Sequence, residues 1–141
     1  MFGFTIVGMS IQEFPLAWRW TEPSHAVLPP EVLAAIVPLT PSGAARLNRV
    51  PPVEGMRAVS CCTDGSKDVQ GWLRQIQPDG QVSVYVSWSD NLAVQTKWGI
   101  FTEYWNDFCY PSSDDVTIVP VAGGWRLEYS HDERFEFTTA A

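Results

Sequence analysis

Residues 81–108, QVSVYVSWSDNLAVQTKWGIFTEYWNDF, decide how this chain folds. Val82, Val84, Val86 and Trp88 alternate with Ser83, Tyr85 and Ser87. That period of two sends successive side chains to opposite faces of a β-strand. Ser89-Asp90-Asn91 turns the chain, and LAVQT returns as the second strand of a hairpin. The period then changes. With Thr96 as cap and Lys97 as first helical residue, Trp98, Phe101, Tyr104, Trp105 and Phe108 fall within an arc of roughly 120°, the width of a core-facing stripe. Glu103 and Asp107 point the other way. A hairpin that runs into a helix with one apolar face predicts that these aromatics are core.

Downstream, DVTIVPV, WRLEYS and RFEF read as three more strands, separated by Ala122-Gly123-Gly124 and by His131-Asp132-Glu133. Trp125, Leu127 and Tyr129 share one face with Phe135 and Phe137. Arg126, Glu128 and Glu136 share the other, where opposed charges are expected to pair across strands. Pro120 has no N–H to donate, so it belongs at an edge or a strand end. Upstream, Val69, Trp72, Leu73 and Ile76 recur at i, i+3, i+4 and i+7, a helix over 67–77 capped by Ser66. The first half is rich in proline. Pro30 and Glu31 suit the first turn of a short helix ending before Pro38, and Thr40-Pro41 starts a second that runs to Arg49. The N-terminal MFGFTIVGMSIQEF reads as a first strand rather than a signal peptide, since no basic residue precedes its apolar start and no small-residue cleavage pattern follows.

The expected architecture is a single α+β domain over residues 1–141. An antiparallel sheet of about five or six strands has one face covered by two main helices, 67–77 and 97–108, with a proline-rich N-terminal half. With 45% hydrophobic residues and only 18% charged, the chain has ample core. No apolar run is long enough to span a bilayer, so a cytoplasmic protein without membrane contact is expected.

Charge is unevenly spread. The net is −7 for the chain, and residues 86–141 hold three basic and nine acidic side chains, a net of −6. That disfavours nucleic acid as a partner, because phosphate contacts need clustered Lys and Arg. It favours encounter with a basic protein surface. No GxSxG, HExxH, CxxC or phosphate-binding Gly loop is present. His25, His131, Cys61, Cys62 and Cys109 are scattered, unlike zinc ligands, and no metal or cofactor is expected. Adjacent Cys61-Cys62 do not bridge readily, and three reduced thiols are expected. Cys109 sits at a helix C-terminal end, where the dipole disfavours a thiolate. Asp107, Glu103 and Asp114-Asp115 also suggest a carboxylate cluster for a divalent ion, but their spacing matches no calcium loop. PSSDD reads either as a solvated turn or as part of an acidic docking patch.

PLAWRW at 15–20, PPEVLAAIVPLTP at 29–41 and T-x-W-x-x-F-x-x-x-W-x-x-F-x-Y at 96–110 together resemble small bacterial proteins grouped only as domains of unknown function. That resemblance spans most of the chain and implies no activity. The C-terminal layout of acidic turn, strand, W-x-L-x-Y and F-x-F is similar to that of small acidic immunity proteins, which protect bacteria from neighbours' toxins. What this style implies is a non-enzymatic inhibitor or immunity-type module that docks on a basic partner such as a toxin. The expected contacts are Glu103, Asp107, Asp114, Asp115, Asp132 and Glu133, with Tyr110 as aromatic anchor and Tyr104 beside it. The alternative is a small-molecule-binding protein or enzyme. Its pocket would lie between the sheet and the proline-rich segment, lined by Trp18, Trp20 and Trp88. A homo-oligomer paired through residues 1–9 is a third reading.

Overall fold

The computed structural model describes residues 9–47, 57–63, 65 and 68–139. Residues 1–8 of the expected first strand, the Ser66 cap and the helix end beyond residue 47 lie outside them, and at the described end of that stretch Ile11–Glu13 forms a 3-10 turn rather than strand. Among the described residues the fold is α+β, with six α-helices and one seven-stranded antiparallel sheet. The helices are α1 (Trp18–Thr21), α2 (Pro30–Ala34), α3 (Pro41–Leu47), α4 (Val69–Ile76), α5 (Trp98–Glu103) and α6 (Trp105–Phe108). The strands are β1 (Val37–Pro38), β2 (Arg57–Cys62), β3 (Ser83–Ser89), β4 (Leu92–Lys97), β5 (Val116–Pro120), β6 (Trp125–Ser130) and β7 (Arg134–Thr139), in the order β1-β4-β3-β5-β6-β7-β2.

The sheet has seven strands where five or six were expected. The additional pair, β1 and β2, form opposite edges. β1 is two residues long and carries a proline. β2 has no clean alternation and joins β7 from far along the chain, Cys61 opposite Phe135. The hairpin is as expected, with a register irregularity between Ser87 and Ser89. Its two faces serve two cores. Val84, Val86 and Val94 enter the main cluster with Trp20, Trp98, Phe101, Phe108, Ile118, Leu127 and Phe135. Tyr85 points the other way and packs with Leu39, Ala44, Leu47 and Ala93. Thr40 Oγ1 accepts the Gly43 N–H at 3.1 Å, which caps α3 as the sequence predicts.

Four further expectations are corrected. Asp68 caps α4, its carboxylate accepting the Gly71 N–H at 2.9 Å. Thr96 caps nothing: it is the buried partner of Val84 in β4. The expected helix over 97–108 is broken at Tyr104 (φ −116°, ψ 26°) into α5 and α6. At the break Gln70 Nε2 donates to Thr102 O and Glu103 O, and at the C-terminal end of α6 Trp20 Nε1 donates to Asp107 O and Trp88 Nε1 to Phe108 O. Finally, Glu128 lies opposite Glu136 and pairs instead along its own strand with Arg126.

Candidate functional site

The break at Tyr104 sets up the region where most of the expected site residues lie. α6 ends at Phe108, and Cys109–Asp115 then loops into β5. Arg19 of α1 reaches this loop from 95 residues away. Its Nη1 donates to Asp114 Oδ2 at 2.6 Å and its Nη2 to Asp114 Oδ1 at 3.1 Å. Asp114 Oδ2 also accepts the Tyr110 N–H at 2.8 Å, and Oδ1 accepts from Ser113 Oγ. Arg19 and Asp114 are 6% and 8% exposed, so this is a buried bidentate pair. Asp114 is therefore removed from any docking face. Its charge is consumed inside, and its role is to close the loop.

The remaining carboxylates form two groups. Glu103 ends α5 and Asp107 lies on α6, both near the half-buried Tyr104. Burial raises the Tyr104 hydroxyl above its ordinary pKa, and Glu103, Glu31 and Asp107 raise it further. Three carboxylates from α2, α5 and α6 thus act electrostatically on one tyrosine, and among the described residues no salt bridge includes any of them. Partial burial also raises the Asp107 carboxyl. The second group surrounds His131. Asp115 Oδ1 accepts the His131 N–H at 3.0 Å and lies 2.9 Å from its Nδ1. The hydrogen bond to Asp115 raises the imidazole, with Asp132 adding to it, and the same bond lowers Asp115. Ser112 N–H donates to His131 O, which ties the loop to the β6–β7 turn that carries Asp132 and Glu133. Ser112 and Glu133 both sit at positive φ, 70° and 66°.

Tyr110 lies between the buried pair and the surface. The Arg19 guanidinium sits 4.0 Å from its ring centroid and 5.3 Å from that of Trp18. His25 meets Trp18 edge-on at 4.5 Å and lies nearly parallel to Tyr110 at 6.4 Å. Burial raises the Tyr110 hydroxyl, while Arg19 opposes that shift. The sequence reading missed Arg19, His25 and Glu31 as members of this region. A clue for Arg19 was present: an arginine between two tryptophans in an apolar stretch needs a carboxylate partner. The other expected tryptophan wall is core. Trp20 is fully buried, the partly buried Trp88 packs on it at 6.0 Å, and Trp18 is 38% exposed.

Cys109 is buried, and that burial raises its thiol well above the ordinary range, which keeps it protonated. Among the described residues no cluster of three potential metal ligands exists, and no helix is long and apolar enough to cross a membrane. What the surface offers is exposed carboxylates such as Glu31 and Glu103, which attract cationic groups. No protein-family model, curated protein or solved structure matches this chain.

Proposed function

We propose that this chain is a non-enzymatic binding module that docks an acidic face on a basic protein partner, in the manner of an inhibitor or immunity-type protein. The observation that carries the reading is that Glu31, Glu103 and Asp107, on α2, α5 and α6, take part in no salt bridge among the described residues, while all three raise the Tyr104 hydroxyl. Like charges gathered without a partner cost stability, and a face that retains them is suited to a cation brought from outside. Tyr104 and Tyr110 supply the aromatic centre, and Asp115, Asp132 and Glu133 form a more distant rim. In this reading α4 and α5 cover the main apolar face of the sheet, with Glu103 exposed and Asp107 partly buried on either side of the break at Tyr104. The cytoplasm, which keeps thiols reduced, is the compartment it implies.

The test begins with isolation of the partner on immobilised chain and measures kinetics with the purified pair. Glu103→Gln with Asp107→Asn should lower the association rate roughly tenfold at low salt and flatten its ionic-strength dependence. A partner whose association ignores both salt and these substitutions overturns the reading.

A further inference from the structure

At the far edge of the sheet β2 has one strand neighbour among the described residues, β7. Which of its main-chain groups are free follows from the register. Thr63 N–H donates to Glu133 O at 2.8 Å, one step beyond the pair Cys62–Arg134. In an antiparallel ladder, alternate residues turn both N–H and C=O toward the neighbour and those between turn both away. Val59 and Cys61 therefore face β7, and Ser60 and Cys62 turn their main chain to the side with no strand neighbour among the described residues, where Cys62 O also accepts from Cys61 Sγ at 3.6 Å. That free side opens on a cavity of about 540 Å³ whose other wall is α4, with Asp68, Trp72 and Gln75. The volume lies within the roughly 300–1,000 Å³ of ligand clefts.

The side chains around the cleft are apolar on one face. Val59 shares the face of buried Cys61 yet is 45% exposed, so the core side of the sheet runs past its cover at this edge. Trp72 stacks on Phe135 and forms the adjoining wall. We propose that the β2–α4 cleft takes an extended basic peptide segment of a partner protein, added to β2 as an eighth strand. Its main chain would meet Ser60 and Cys62, an apolar side chain would cover Val59 against Trp72, and a Lys or Arg would approach Asp68. A peptide of about six residues would match β2, roughly 20 Å long.

Other occupants fit less well. A second copy would have to bring its own α4 wall into a cleft already bounded by one. This site is separate from the Tyr104 face.

The experiment is a fluorescence-polarisation titration with a labelled seven-residue peptide of alternating Lys and Val. Its controls are the same peptide N-methylated at every backbone amide and one with Glu in place of Lys. The parent peptide should bind and both controls should not. Ser60→Pro removes only an outward-facing N–H, a change edge strands tolerate, and should weaken binding about tenfold without moving the unfolding midpoint. The Glu103→Gln/Asp107→Asn chain should bind as wild type does, so a failure here leaves the acidic-face reading intact, and the reverse. No binding up to about 1 mM, or equal binding of the N-methylated peptide, overturns the proposal. Should Ser60→Pro fail to fold, the N-methylated comparison on wild type decides. A wild-type dimer in sedimentation velocity that Ser60→Pro dissolves would make a second copy the occupant and also overturn it.

Discussion

Asp114 shows how far a single residue's role depends on a partner distant in sequence. In PSSDD it looks like one more solvated carboxylate, but Arg19 holds it in a bidentate pair under Tyr110. Removing one member of a buried pair leaves the other charge without compensation, at about 3–5 kcal/mol. Asp114→Asn or Arg19→Met should therefore lower the chemical-denaturation midpoint severely. The double variant Arg19→Met/Asp114→Leu should recover a large part, since apolar replacement of both members removes the stranded charge. Full additivity of the two losses would refute the pairing. The neighbouring Asp115 behaves differently because both it and His131 are exposed. The raised His131 contributes stability that is complete below its ordinary value of 6.5 and is lost as pH climbs through the folded value. The lowered Asp115 contributes above 3.8 and loses its share as pH falls through the folded value. The pair is thus fully effective between pH 3.8 and 6.5. The difference in unfolding midpoint between wild type and His131→Asn should be largest in that window and shrink toward pH 8. A difference independent of pH would assign the loss to the His131 main-chain contacts instead.

Among the elements, the segment 96–108 separates what could be read from what could not. Its aromatic periodicity identified Trp98, Phe101 and Phe108 as core, and each is buried. It could not reveal the break at Tyr104, because Gln70, which takes the Thr102 and Glu103 carbonyls freed there, comes from another element. The break makes the two central tryptophans unequal. Trp98→Ala should cost about 3–5 kcal/mol, since the indole is fully enclosed and its Nε1 donates to Gln77 O. Trp105, only half-buried, should cost clearly less on the same denaturation scale; equal losses would mean that the break is absent in solution. Thr96 was read as a cap because a threonine before a helix usually is one. The strand runs into α5 without a gap, so its hydroxyl ends up buried with no hydrogen-bond partner among the described residues. Thr96→Val keeps the shape and removes that cost, and it should stabilise by about 1 kcal/mol, or roughly 3 °C in Tm. A loss of stability would show that the hydroxyl is satisfied after all. β2 was illegible for a related reason: RAVSCC lacks alternation, and its partner β7 lies more than seventy residues ahead.

For the whole molecule, local and non-local information divide along the sheet. β3–β4 and β5–β6–β7 are joined by short turns and were legible; both edges depend on pairings that no local pattern announces. Charge is the other global property, and it bears on function. Of the net −7, the pairs Arg19–Asp114 and Arg126–Glu128 cancel internally, so the repulsion falls on carboxylates such as Glu31, Glu103 and Asp107. Repulsion among exposed charges is screened over about 10 Å at 0.1 M salt, whereas a buried pair is screened little. Raising NaCl from about 20 to 200 mM should therefore raise Tm by about 1–3 °C. Neutralising the three carboxylates together, Glu31→Gln/Glu103→Gln/Asp107→Asn, should raise Tm at low salt and remove much of that dependence. Such a result would mean that these side chains cost the fold stability, which is the pattern expected where a surface serves recognition rather than structure. If the triple variant is instead less stable than wild type, the carboxylates make internal contacts that matter to folding, and the acidic face loses its claim to a partner.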